Sequence, residues 1–571
     1  MKYLAIIFLF STTTLFAQPT KISDDELYTL GKVWGLMKYY HPAFSQGKID
    51  TDSIFVTALE NKSKLSENQI IANWFEIADN AVVENIATKQ NECDSITLRN
   101  FDTKWIKSIK LKSKNKKKLL QLIMQSKNIG AFYSNPTLKS IRFDSQNEKT
   151  YDSFSTNIKL LELFRIWNAI EYFYPYKYTL DNDWDNVLNK YIPIFKNITN
   201  EQEYKLVVTQ LSAEIQDTHT NLKKSYQYDI FGNLTAPFTF QIVENGTVIT
   251  AIKDEKATLK ANVQIGDFIT KINGKTITEI IAEKSKFIPA SNKSVQLREA
   301  YNYLFSGNDS VVSIEGVKEN GTKFKTSLEL IQRTFANEWD KDGIPNYHLF
   351  YKGKNYEYLV WNNNENRLNP SFQLDNKVYI DFSSLQANEI EKLMQSFQDA
   401  KGIVFDLRGY NDDGSLLKVF NYLFSKPQFF GIKTQPDFYQ PSKFCFVDNI
   451  INKDYKYIGK ENTNTYKGQV IVLINEYTQS AEEMWAMIFK KVPNVIFVGS
   501  QTAGADGNIT SIKLTDGNEL RFSGLGIYYP DGTETQRVGI KANIEVRPTL
   551  QSILKKEDVL LEKAFELIDE K

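Results

Sequence analysis

The stretch Gln469-Val-Ile-Val-Leu-Ile474-Asn-Glu-Tyr-Thr-Gln479-Ser480-Ala481 reads as a buried strand, a short link and the first residues of a helix. An unbroken apolar run bounded by polar residues fits a strand covered on both faces, as in a parallel sheet. The helix continues from Ala481 to about Lys491, and Val495-Ile-Phe-Val498 returns to the sheet. Upstream, Val378-Tyr-Ile-Asp-Phe382 and Gly402-Ile-Val-Phe-Asp406 have the same character, so residues 376–571 alternate strand and helix around one sheet. Ser511 to Phe522 reads as a hairpin turning at Asp516-Gly517. Ligands of open α/β sheets bind beyond the carboxyl ends of the strands, which is where Ser480 falls. A helix start offers unpaired amides and a favourable dipole to a developing anion, and the amide of Ala481 is beside the hydroxyl. Serine is also a favoured helix cap, and Glu482 and Glu483 suit a first turn, so this stretch taken alone reads as an ordinary helix start.

Ahead of this core, residues 236–335 change to β structure. Val248-Ile-Thr-Ala-Ile252 and Phe268-Ile-Thr-Lys-Ile272 read as strands, and Asn273-Gly274 as a tight turn. Residues 336–375 read as a linker or insertion rich in Asn and Tyr; it holds His348, for which no role is assigned.

An internal repeat organises the first part. Val33-Trp-Gly-Leu-Met-Lys-Tyr-Tyr-His-Pro42 matches Ile166-Trp-Asn-Ala-Ile-Glu-Tyr-Phe-Tyr-Pro175, and Asp50 and Asp52 fall opposite Asp183 and Asp185. Each copy is an amphipathic helix stopped by proline. Two helical units are therefore expected, over residues 18–150 and 151–235. His41 has Tyr174 as its counterpart, so it is read as structural. The second unit closes on Tyr204, Val207, Val208, Leu211 and Ile215 at helix spacing, and His219 follows in the polar turn Gln216-Asp-Thr-His-Thr-Asn221.

Composition narrows the function. The chain has 571 residues, with 69 Lys and Arg balancing 69 Asp and Glu. Without a basic stripe, nucleic acid and anionic membranes are not expected as main partners. The run Lys110-Leu-Lys-Ser-Lys-Asn-Lys-Lys-Lys118 reads as a solvated helix face or loop. Two cysteines, Cys93 and Cys445, and three histidines argue against a zinc cluster or multi-histidine centre, and no cofactor is expected. A disulfide is allowed, not required. At the N-terminus, Met1-Lys2 precedes an apolar run from Leu4 to Phe10 and Leu15-Phe16-Ala17, the pattern of a signal peptide over residues 1–17. No later segment is apolar enough to cross a membrane. An exported protein, periplasmic or extracellular, is expected; the sequence leaves its oligomeric state open.

Four motifs in order resemble the C-terminal processing, or tail-specific, serine peptidases. Thr478-Gln-Ser-Ala-Glu-Glu483 resembles their nucleophile motif, and Asp406-Leu-Arg-Gly-Tyr410 the strand end leading to an oxyanion loop. Gly499-Ser-Gln-Thr-Ala-Gly504 resembles the next glycine turn, and Val538-Gly-Ile540 with Val546-Arg-Pro-Thr549 the closing stretch. Gly266-Asp-Phe-Ile-Thr-Lys-Ile-Asn-Gly-Lys275 resembles the signature of a PDZ domain, which adds an extended peptide to a sheet edge. The resemblance implies a multidomain α+β protein: N-terminal helical units, a PDZ-like β domain and an α/β peptidase core of the ClpP/crotonase-like ββα kind. One branch of the family pairs Ser with Lys after the glycine turn, where this chain has Ala505 and Asp506. The other, the tricorn-core-like branch, places a His before the PDZ segment, where His219 stands. The resemblance thus implies Ser480 as nucleophile, His219 as general base, Thr218 as a hydroxyl orienting the His, and oxyanion amides from Ala481 and the Gly409–Asp412 loop, with Gly409 taken as the donor. Glu534 is the nearest carboxylate to complete the relay, with Gln536 as the alternative occupant of that place. The implied activity is endopeptidase cleavage of peptides or unfolded proteins. A peptide-binding scaffold that has lost activity, or a hydrolase of a non-peptide ester or amide, is the alternative on the same fold.

Overall fold

In a computed structural model, the protein is described over residues 22–86, 95–124, 129–136, 141–143, 147–333, 361–362, 367–368, 371–437, 440–448, 450 and 456–570. The expected signal peptide, His348, most of the linker and Cys93 lie outside the described residues.

The sequence repeat is a structural repeat with a pseudo-twofold pairing. Helix α1 (Asp24–Tyr40) and α2 (Thr51–Glu60) form one copy, α3 (Thr156–Phe173) and α4 (Trp184–Asn197) the other. Each first helix ends where the next residues run into proline, and Asp50 and Asp183 cap the starts of α2 and α4. In both copies the buried tryptophan donates its indole N–H to the equivalent backbone carbonyl. Trp34 bonds Thr51 O at 2.7 Å and Trp167 bonds Trp184 O at 2.8 Å. The charges cross over: Lys32 of the first copy pairs with Asp185 of the second, and Arg165 of the second with Asp52 of the first. A Cβ at Gly31 or Gly35 would sit 2.0 Å from Phe164 or 1.8 Å from Asn168, so glycine permits the close approach of α1 to α3. His41 caps the next turn, its Nδ1 accepting from the Ala43 amide at 3.3 Å, consistent with a structural role. One apolar core runs through both copies, through α5 (Glu201–Ala213) and into the C-terminal half of the chain, where it takes in Ile512, Leu514, Leu520 and Phe522.

Residues 236–333 fold around a sheet ordered β5-β4-β3-β2-β1 from β1 (Phe238–Val243), β2 (Gly246–Ile252), β3 (Phe268–Ile272), β4 (Val311–Val317) and β5 (Lys323–Glu329). Helices α6 (Ile277–Lys284) and α7 (Lys293–Leu304) fill the connection before β4. The Asn273-Gly274 turn has positive φ at both residues, 49° and 79°, the requirement of a type I′ hairpin.

The last third holds the expected parallel sheet. Its order is β6 (Ser371–Leu374), β7 (Lys377–Asp381), β8 (Gly402–Asp406), β9 (Gln469–Ile474), β10 (Ile496–Gly499) and β13 (Ile544–Glu545); only the β6–β7 pair is antiparallel. All six residues of β9 are buried because α8 (Ala481–Phe489) covers one face and the C-terminal α10 (Val559–Asp569) the other. In register, Asp406 lies opposite Leu473 and Gly499 opposite Ile474, so these strands end together at one edge. Between β10 and β13, β11 (Ile509–Lys513) and β12 (Glu519–Ser523) form the expected hairpin, and β12 pairs on its other side with residues 221–222. Helix α9 (Leu550–Lys555) lays Leu550, Ile553 and Leu554 on Val243, Val248 and Phe268 of the β domain. No described helix is long and apolar enough to cross a membrane.

Candidate active site

The link after β9 is held at both ends. The Thr478 hydroxyl donates to Leu407 O at 2.8 Å and accepts from the Asn475 amide at 3.1 Å, which ties the turn to the end of β8. That end is itself clamped. The buried Arg408 guanidinium spans Asp406 at 2.6 Å and Asp558, the cap of α10, at 2.8 Å. The Asp406-Leu-Arg408 motif therefore fixes where the following loop begins, and a planar guanidinium is suited to two carboxylates at once.

Ser480 occupies the start of α8 with φ 60° and ψ −117°, a conformation a non-glycine residue rarely adopts. Its amide donates to Ala505 O at 3.0 Å, and its hydroxyl makes no capping bond. The simple cap expected as an alternative is thus not what the serine does. As the first helical residue, Ala481 has an amide outside the helical bonding pattern, beside the hydroxyl.

Beneath the turn, Glu483 accepts from the Thr502 hydroxyl at 2.5 Å and from the amides of Gly504 and Ala505 at 2.8 Å each. Burial pushes its carboxyl up to about 7, against the pull of those donors. The neighbouring Asp506 is raised well above the carboxylate range, first by burial and then by Glu483. The place a Ser-Lys enzyme gives to lysine is thus filled here by a small apolar residue, Ala505, and a buried acid.

His219 is nine-tenths buried, 8 % exposed, on the turn after α5. Its Nδ1 lies 2.9 Å from Ser523 Oγ at the end of β12. The Ser523 hydroxyl donates to Asp217 at 3.1 Å, and its amide donates to the same carboxylate at 2.7 Å. Asp217 also accepts from the His219 amide at 3.1 Å and from Gln536 Nε2 at 3.0 Å. Burial lowers the His219 pKa; Asp217 opposes the shift and Arg298 of α7 adds to it.

The histidine turn and the serine turn meet on one segment. Thr218 Oγ1 donates to Ala503 O at 3.4 Å, while the Ala503 amide donates to Thr478 O at 3.0 Å, two residues before Ser480. Asn292, the cap of α7, bonds the carbonyls of Thr502 and Ala503 at 2.8 and 3.1 Å. From the same helix Arg298 donates to Glu476 O at 2.7 Å and to Gln479 Oε1 at 3.0 Å. Among the described residues no hydrogen bond joins His219 to Ser480. In structures without substrate such bonds are often long and tighten on binding.

Two expected neighbours of His219 lie elsewhere. Glu534 is not beside His219; it accepts from Arg99 at 2.6 Å and from Tyr178 at 2.8 Å. The carboxylate next to the imidazole is Asp217, two residues before it, with Gln536 as its neighbour. The Thr218 hydroxyl accepts from the Ser291 amide and donates to the Ala503 carbonyl, and among the described residues no hydrogen bond joins it to His219. In the oxyanion loop, the Asn411 amide is taken by Glu482, and Trp485 Nε1 holds Asn411 O at 2.9 Å, which leaves Gly409 and its neighbour Tyr410 at the strand end. Tyr410 is 46 % exposed; burial of part of its ring raises the phenol, and a contact with the Ser480 side chain lowers it. Sequence spacing did not single out Tyr410, Ser523 or Asp217.

Comparison with known proteins matches residues 376–546 to Peptidase family S41. Mature CPAF in complex with lactacystin has the same fold, with a TM-score of 0.54 at 12 % identity over 73 % of this chain and 100 % of that one. A photosystem II D1 C-terminal processing protease matches with a TM-score of 0.34 at 14 % identity, covering 68 % of this chain and 93 % of that one. The nisin-resistance protein of Lactococcus lactis subsp. lactis is 30 % identical over 92 residues, 16 % of this chain and 27 % of the relative. The chain thus spans about a quarter of that relative's length.

Proposed function

From the match of residues 376–546 to Peptidase family S41, we propose that the chain is an exported serine endopeptidase in which Ser480 is the nucleophile and His219 the general base. As the Ser480 hydroxyl attacks a peptide carbonyl, His219 Nε2 takes its proton and then gives it to the leaving amine. Water then releases the acyl group. The amide of Ala481, with one from Gly409, holds the oxyanion, and losing one such donor lowers turnover by roughly a hundredfold or more. Residues 236–335 act as the peptide-holding, PDZ-like module, and Arg298 couples that module to the serine turn. The observation that carries the proposal is the shared anchoring of both turns on Ala503, through Thr218 on one side and Thr478 on the other. Export is supported by Cys445, which is disulfide-bonded, a state that persists in oxidising compartments.

Treatment with a serine-directed phosphonate tests this. The expected adduct maps to Ser480 by mass spectrometry and is lost in His219→Ala, while peptide cleavage stops in Ser480→Ala with folding intact. Labelling at another serine, or cleavage retained by Ser480→Ala, contradicts it.

A further inference from the structure

We infer that Ser523 and Asp217 are positioning residues that fix the tautomer of His219, standing in for the carboxylate that Glu534 does not supply; the inference rests on His219 being the base. The hydroxyl of Ser523 has one proton, and that proton is directed at Asp217, whose oxygens can only accept. Ser523 Oγ, 2.9 Å from His219 Nδ1, is then left with lone pairs to offer, so Nδ1 must carry the proton. An imidazole protonated at Nδ1 has its free lone pair on Nε2, the atom a base needs. Both partners are enclosed and hydrogen-bonded. Asp217 is fully buried and accepts four hydrogen bonds, from two amides, the Ser523 hydroxyl and Gln536, and Ser523 is fully buried at a strand end.

The device also responds to charge. When Nε2 takes the serine proton, the ring becomes a cation, and the Nδ1–H···Oγ–H···carboxylate chain stabilises it without any proton passing along the chain. Gln536 contributes by donating to Asp217, which leaves the carboxylate turned toward the Ser523 hydroxyl. The relay is assembled from the histidine turn and from β12, so it forms only when the hairpin docks beside residues 221–222.

Two readouts test it. With histidine labelled in 15N, the ring nitrogens of His219, assigned by their loss in His219→Ala, are expected to show Nδ1–H and bare Nε2 above neutral pH. That pattern should hold in the wild-type protein and in Ser480→Ala, and give way to a tautomer mixture in Ser523→Ala. The rate of phosphonate labelling at Ser480 is expected to fall in Ser523→Ala by roughly tenfold to a hundredfold, a part of what a general base supplies. Ser523→Thr, which keeps the hydroxyl, should restore both. An Nε2–H tautomer in the wild type overturns the relay, even if Ser523→Ala does not fold. Unchanged tautomer and labelling in a folded Ser523→Ala also overturn it. If the wild type is not labelled at Ser480 at all, the catalytic assignment fails instead, and the tautomer in the same sample still decides the relay.

Discussion

At the scale of the residue, the proposed base His219 is held toward its neutral form by its surroundings. Burial and the Arg298 cation both disfavour the imidazolium, and Asp217, the other charge facing it, favours it. The net shift is downward, so the neutral, active form persists below the ordinary imidazole value of about 6.5. The acid limb of kcat/KM is therefore expected below that value, with activity lost as pH falls through the lowered pKa. Arg298→Ala removes a nearby positive charge and is expected to move the limb upward, whereas Arg298→Lys keeps the charge and leaves the limb close to its wild-type position. A pH–rate series on the three proteins checks both; a downward move in Arg298→Ala contradicts the assignment. The proposed serine and histidine are picked out in the sequence because each sits in a short motif beside a strand or helix end. Asp217, Ser523 and Tyr410 are not, because their roles arise from chain closure: the Ser523 contact reaches 304 residues along the chain to His219. Glu534, the carboxylate nearest the closing stretch, pairs with Arg99 instead.

At the scale of the element, the β11–β12 hairpin carries the consequence. Its turn was readable from Asp516-Gly517, but its docking onto α3 through Glu162 was not, since no local pattern marks a buried glutamate as an acceptor. Glu162 accepts from the Thr515 amide and hydroxyl and from Tyr204 OH at 3.1 Å. Burial pushes its carboxyl up to about 7, against Arg165 and the Thr515 donors. Because the folded value lies above the unfolded one of about 4.3, the stability this group confers is complete below that value and lost as pH rises through about 7. Glu162→Gln keeps an acceptor at the same place without the ionisation. Between pH 5.5 and 8.5 the wild type is expected to lose on the order of 2 kcal/mol more than this variant, read from paired thermal or urea unfolding. Equal pH sensitivity in the two proteins contradicts the role given to Glu162.

At the scale of the whole molecule, three bodies are knit around one edge of the parallel sheet. The helical repeat shares its core with the hairpin, the β domain reaches the serine turn through α7, and α9 leans back on the β domain. Along the chain these bodies follow the order of the motifs and the repeat. Their mutual packing was not legible in the sequence, since bonds such as that from the Thr515 amide to Glu162 join residues that no local pattern connects. A further tie is the disulfide at Cys445, whose strand Phe444–Val447 pairs with Ser95–Thr97 from the N-terminal part. Cys93 is the only other cysteine in the sequence. Peptide mapping without reductant is expected to find Cys93 joined to Cys445, and reduction to cost about 2–4 kcal/mol of stability. Two free thiols in the native protein contradict it.

In the proposed mechanism an imidazole from the helical unit serves a hydroxyl from the sheet. Its most direct measurement is a crystal structure of the phosphonate-treated protein. The expected result is phosphorus bonded to Ser480 Oγ, an adduct oxygen against the Ala481 amide, and His219 Nε2 within about 3.2 Å of the Ser480 oxygen or the adduct. An adduct on Ser480 with His219 turned away and another group in its place would contradict the account.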